Sequence, residues 1–229
     1  HTDAALDHIR KHAPSSVMEA VEALRPALAH LPRMARIPLL RLCAPTIRAT
    51  APAQREGLCT LLFSLAGLDT EWSLFELAVY RCVRAWTVAP PKAPTILSTR
   101  PVLGDIAALL SATAHTGGTD VAVQAYANGA GRFLELRNDG RSMSARATPR
   151  DVHGFMPLEA LSLRMVDESI ENLLLVAPNL RARVVDAVRH VILADGTITE
   201  EESELYAALL EVLGAPSTGM HMAGRLPTA

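Results

Sequence analysis

The residues of this chain whose types and spacing suit chemistry gather in a few short stretches. Asp195, Gly196, Ile198 and Glu202 fall on the fifth, sixth, eighth and twelfth places of a calcium-binding helix-loop-helix. Those places call for an acidic ligand, a turning glycine, an apolar plug and a bidentate carboxylate. The first and third places are Val191 and Leu193, and alkyl groups there would leave a hard cation under-coordinated. His8 and His12 have the i, i+4 spacing that brings two imidazoles to one metal, but Ile9 stands where a zinc peptidase puts its general base. No HExxH occurs, and the pair reads as surface residues near a frayed end. Ser144, Asp151 and His153 have the residue types of a hydrolase triad without the GxSxG elbow that exposes a nucleophile. GxGxxG and Walker-type phosphate loops are absent as well, so nucleotide binding has no support. Arg141, Arg146 and Arg150 punctuate a polar stretch with Ser142, Ser144 and Thr148. A solvated loop is the plain reading there; a partner or anion held by guanidinium forks is the sharper one.

The Asp195 stretch also makes sense without a metal, as the corner between two helices. Asp195-Gly196 is a turn dipeptide in which glycine takes positive φ at little cost, and Ile198 plugs the turn. Thr199 with Glu202 forms a capping box, worth on the order of 1 kcal/mol. Glu200, Glu201, Glu202 and Glu204 then lie at the start of the following helix, where exposed carboxylates gain about 0.3–1 kcal/mol each from the macrodipole. Leu65-Ala66-Gly67-Leu68-Asp69-Thr70-Glu71 echoes this corner. The helix before it carries Leu58, Leu61, Leu62 and Leu65, as Val184, Val188, Val191 and Ile192 precede the later corner. A duplicated helical pair and a chance likeness between amphipathic helices both account for the echo.

What must position these residues is a set of helices. Hydrophobic residues make up 49% of the 229 but aromatics only 4%, so the core is built from Leu, Ala and Val, a mixture that favours helix over sheet. The expectation is an all-α, multi-helix bundle of one large domain or two small ones. A net charge of −2 gives no basic footprint for nucleic acid. Cys43, Cys59 and Cys82 are an odd, scattered set without a CxxC pair, which points to a reducing compartment. Apolar runs such as Cys59 to Leu68 are too short to cross a bilayer, and no signal peptide opens the chain. The start at His1 rather than Met suggests a piece of a longer protein.

Along the chain we expect residues 1–14 as an extension, 15–137 as a first helical subdomain, 138–155 as the polar loop, 156–216 as a second helical subdomain and 217–229 as a flexible tail. Ser16 with Glu19 reads as a capping box, with Pro26 as a kink and Pro38 as the first residue of the next helix. Helices are expected near 53–66 and 71–88, followed by the stiff Ala89–Pro94 linker. Thr99 and Pro101 open a helix with Leu103, Ile106, Leu109 and Leu110 on one face, and Thr119 caps another. Pro157 restarts helix with Leu158, Leu161 and Met165, while Glu159, Asp167, Glu168 and Glu171 read as a solvated face. Gly214 ends the last helix, which closes a pair running from Pro178 to Leu213.

The closing segment from Ala187 to Pro216 resembles the half-domain of TerB-like helical proteins of tellurite resistance. More specifically, the order of segments from Val17 to Pro216 resembles the soluble C-terminal region of bacterial membrane zinc metallopeptidases related to HtpX and the CAAX prenyl proteases. The pieces that carry it are Arg36-Ile37-Pro38-Leu39-Leu40, the Leu65 to Leu77 segment, and Leu193 to Leu205. The resemblance implies a non-catalytic regulatory or docking domain at the cytoplasmic face of the bacterial inner membrane. It implies zinc only in an upstream peptidase part and no cofactor in this chain. Its working surface would be Asp195, Thr199, Glu200, Glu201 and Glu204 together with Arg141, Arg146 and Arg150. The alternative is a free-standing TerB-like stress-response protein that binds a metal ion or a protein through acidic helix starts.

Overall fold

The computed structural model describes residues 2–68, 73–87, 94–138 and 154–214. They form α1 (Thr2–His12), α2 (Ser15–Ala29), α3 (Arg33–Leu42), α4 (Ala44–Ala49), α5 (Pro52–Ala66) and α6 (Leu74–Thr87). After these come α7 (Leu103–Thr116), α8 (Thr119–Asn138), α9 (Leu163–Leu174), α10 (Pro178–Ile192) and α11 (Glu200–Leu213). Short 3-10 turns at Arg100–Val102 and Leu158–Ala160 lead into α7 and α9. The protein is an all-α multi-helix bundle. Among the described residues extended pairing is limited to one parallel bridge, Ile96 to Val176.

The centre of the bundle is α7, in which every residue from Ile106 to Ala114 is buried. The sequence suggested one apolar face; instead the helix is encircled, which a run of Ala, Leu and small hydroxyls permits. Its two buried hydroxyls are satisfied: Thr113 donates to the Leu109 carbonyl at 2.8 Å, and Ser111 accepts from the Met156 amide at 3.0 Å. α8, α9 and α10 pack around α7, and α6 carries α5 on one side and α11 on the other. α8 and α10 approach closely because Gly129 has no side chain. A Cβ there would stand 2.3 Å from Val191 Cγ2 and 2.9 Å from the Ala187 carbonyl oxygen. Helices from before and after the 138–155 segment thus share one continuous core, with α10 on α8 and α11 on α6.

Several helix boundaries differ from the sequence expectation, each for a local reason. Pro14, in an extended conformation, precedes α2 without a side-chain cap, so the Ser16–Glu19 box is not formed. Pro38 lies inside α3 rather than at its start, and Pro26 lies inside α2. Thr99 and Pro101 give a 3-10 turn before α7 begins at Leu103. Pro157 likewise gives only a 3-10 turn; the cap of α9 is Ser162, whose side chain accepts from the Met165 amide. α1 is helical to His12, where a frayed end was expected. In the compared pairs, Val184, Val188, Val191 and Ile192 of α10 are buried, whereas Leu58, Leu61, Leu62 and Leu65 of α5 are half-exposed.

Candidate docking cleft

The corner at Asp195 folds as its residue types dictate. Gly196 adopts φ 82°, and the Asp195 side chain accepts from the Thr197 amide at 2.9 Å. That bond holds the exposed Asp195 carboxyl below its ordinary range. Ile198 is half-buried against the core, as a plug should be. Thr199 Oγ1 accepts from the Glu202 amide at 3.1 Å, and Glu202 Oε2 accepts from the Thr199 amide at 2.9 Å, which completes the capping box. Gly214 ends α11 in the left-handed conformation.

The acidic start of α11 is not one solvated face. Glu200 and Glu201 are exposed, but Glu204 is 2% exposed, because the helix turns it towards α3. Two arginines of α3 meet it there. Arg33 Nη2 lies 2.9 Å from Glu201 Oε1, and Arg33 Nη1 lies 3.7 Å from Glu204 Oε2. Arg36 Nη1 lies 3.7 Å from Glu204 Oε1. At 3.7 Å attraction persists but a hydrogen bond does not, and Glu204 Oε1 has no hydrogen-bond partner among the described residues. Burial raises the Glu204 carboxyl above the ordinary carboxylate range, with Arg36 and then Arg33 pulling it back.

These groups line a cleft of ≈ 350 Å³. α3 contributes Arg33 and Arg36, the entry to α6 contributes Ser73 and Phe75, and the end of α7 contributes Thr116. The fourth side is the Asp195 corner with Glu201, Glu202 and Glu204. Guanidinium groups, carboxylates and hydroxyls thus surround one concave floor. Its described lining carries hydroxyls of Ser73, Thr116 and Thr199 and carboxylates of Asp195, Glu201, Glu202 and Glu204, without histidine or cysteine.

The structure therefore joins Asp195, Thr199, Glu201 and Glu204 in one cleft, leaves Glu200 in solvent, and adds Arg33 and Arg36, which the sequence does not mark as site residues. A signal for them existed: Arg33 and Arg36 repeat at i, i+3, as do Glu201 and Glu204 with the opposite sign. Arg141, Arg146 and Arg150 lie outside the described residues, as do Ser144, Asp151 and His153. Val191, at the first place of the would-be calcium loop, is 3% exposed in the core. His8 and His12 stack on one another, and His8 Nε2 is 2.7 Å from Ser64 Oγ. Among the described residues no three His, Cys, Asp or Glu side chains are grouped to hold a metal.

A second charged cluster lies between α6 and α9. Asp167, expected on a solvated face, accepts from Arg81 Nε, and Arg81 Nη2 donates to the Asp167 carbonyl at 2.6 Å. Arg81 is 2% exposed and Glu171 closes the group at 3.4 Å. Burial raises the Asp167 carboxyl, opposed by Arg81. This cluster pins α6 to α9. Comparison with protein-family models, with curated proteins and with solved structures finds no match.

Proposed function

We propose that this chain is a non-catalytic docking domain that recruits or regulates a membrane-bound zinc metallopeptidase, with the α3–α11 cleft as the docking site. One observation carries the reading: the three segments behind the resemblance converge on that cleft. Arg36 comes from the first, Ser73 and Phe75 from the second, and Asp195 to Leu205 from the third. On this reading the domain sits at the cytoplasmic face of the membrane, and the membrane part belongs to the peptidase. No helix among the described residues is long and apolar enough to cross a bilayer.

The reading is tested with a purified membrane zinc peptidase of the HtpX-related kind, assayed for peptide hydrolysis with and without this chain. The chain should change its kcat/KM, and Arg36→Glu should abolish the change. Zinc-dependent hydrolysis by the isolated chain would overturn it. Metal binding by a free-standing protein is the second reading, and it has less support, because Glu201 and Glu204 already face arginines. Saturable micromolar calcium, magnesium or zinc binding lost in Asp195→Ala would favour it.

A further inference from the structure

Two cavities meet at the Asp195 corner. The polar cleft of ≈ 350 Å³ shares Gly117, Asp195 and Glu202 with an apolar pocket of ≈ 120 Å³ lined by Val121, Ala125, Val191 and Ile192. The neutral polar side chains of that pocket are engaged elsewhere: Thr113 donates to the Leu109 carbonyl at 2.8 Å and Gln124 to Asn128 Oδ1 at 2.9 Å. Val121, on its wall, stays 44% exposed. The charges around the two cavities are unevenly matched. Arg33 and Arg36 face Glu201 and Glu204, whereas Asp195 and Glu202 have no cationic partner among the described residues. Those two carboxylates are the ones in the shared wall. Glu202 uses Oε2 for the capping box, and its Oε1 lies over Gly117, 3.6 Å from where a Cβ there would stand. On the polar side, Glu204 is 2% exposed and its Oε1 lacks a donor among the described residues. A buried acceptor left unfilled is costly, and a donor brought by a ligand offsets that.

We propose that the joined cavities bind the free amino terminus of a protein chain whose first side chain is aliphatic, of leucine or methionine size. The α-ammonium sits at the shared wall against Asp195 and Glu202, and the side chain beside it enters the apolar pocket. One residue supplies both groups, since they branch from the same Cα, so the match needs no assumption about spacing along the ligand. An ammonium brings donors only, which suits two carboxylates that lack a cation. A cavity of about 150 Å³ holds a benzene molecule, so one of ≈ 120 Å³ admits a leucine side chain and excludes an indole. The ligand backbone continues into the polar cleft, where its N–H and C=O groups match Glu204 Oε1 and the half-exposed guanidinium of Arg36. A hard metal ion is a poorer occupant, because the alkyl half of the site offers it no oxygen. This inference rests on the docking reading in one respect, that the occupant of the cleft is a protein.

The test is an NMR titration of the whole, isotope-labelled chain with three probes: Leu-Gly-Gly amide, its N-acetyl form, and Gly-Gly-Gly amide. The first should shift the amides of Gly117 and Gly196 saturably, with a dissociation constant of about 1 mM or below. Acetylation removes the charge and should weaken binding at least about tenfold, as should loss of the isobutyl group. Binding should also fall as pH rises past about 8, where the α-amine loses its proton. Asp195→Asn combined with Glu202→Gln should weaken binding by a similar factor; these amides keep the turn and the capping box, so circular dichroism stays as in the wild type. Equal binding of the free and acetylated probes overturns the proposal, as does a glycine probe as tight as the leucine one or a double variant of undiminished affinity. So does the absence of saturable shifts up to about 20 mM. Calcium or magnesium chloride that shifts the same amides and displaces the peptide would assign the wall to a metal ion and equally overturn it. The peptidase assay is independent. Probes that fail while Arg36→Glu still abolishes the effect on the peptidase would sink this inference alone, and probes that bind a chain without effect on the peptidase would sink the docking reading alone.

Discussion

Glu204→Gln separates attraction from burial at the floor of the cleft. Each arginine contact spans 3.7 Å. Coulomb attraction at that distance is about 1 kcal/mol in water and about 4 kcal/mol at an effective dielectric of 20. Arg33 and Arg36 have side chains 38% and 41% exposed, so solvent pulls each pair towards the lower figure. Opposing this is the dehydration of a carboxylate at 2% exposure, several kcal/mol, with no hydrogen bond to Oε1 to offset it. Burial is the larger influence on the group, so its carboxyl holds its proton to higher pH in the folded protein than in the unfolded chain. Between those two values the native state binds the extra proton, and unfolding free energy falls as pH rises through that interval. Glutamine mimics the protonated form. The variant should match the wild type at pH below about 4 and exceed it by roughly 0–1 kcal/mol at pH 7, a gain of up to about 2–4 °C in Tm for a chain this size. Urea unfolding at a series of pH values reads this directly. A variant less stable than wild type by more than about 1 kcal/mol at pH 7 would show that the arginine attraction prevails, refuting the argument.

Gly129→Ala should destabilise by about 1–3 kcal/mol, despite alanine's better helix propensity, because its Cβ meets the Ala187 carbonyl at 2.9 Å; thermal unfolding would show a lower Tm. Arg81→Ala strands the half-buried Asp167 carboxylate, and denaturant titration at neutral pH should register a loss of about 3 kcal/mol that shrinks once acid protonates Asp167. The native chain should take up one maleimide, at Cys43, which is exposed; Cys59 is buried, and burial pushes the Cys82 thiol up to about 12. Mass spectrometry counts the labels, and rapid labelling of Cys82 would contradict the packing of α6 on α11.

Features set by neighbouring residues were legible in the sequence. The Asp195-Gly196 turn, the Thr199–Glu202 box and the Gly214 terminator each involve residues a few positions apart, and all three form. Composition alone pointed to helices. What stayed hidden depends on contacts between distant segments. Nothing near Glu204 in sequence distinguishes it from Glu200, and only the packing of α3 on α11 buries one and leaves the other in water. Asp167 likewise carries no local mark of burial, and Arg81, 86 positions earlier, packs against it. The Ser16–Glu19 capping motif fails because Pro14 fixes an extended approach to α2, and Pro157, expected to restart a helix, gives only a 3-10 turn.

The most direct measurement of the docking claim is a calorimetric titration of the purified membrane peptidase with this chain, wild type against Arg36→Glu. Saturable binding by the wild type, weakened at least about tenfold by the reversal, is the predicted result for a charge at the centre of a contact. Equal binding by both would place the contact elsewhere, and no heat from either would leave the cleft without its partner and contradict the account.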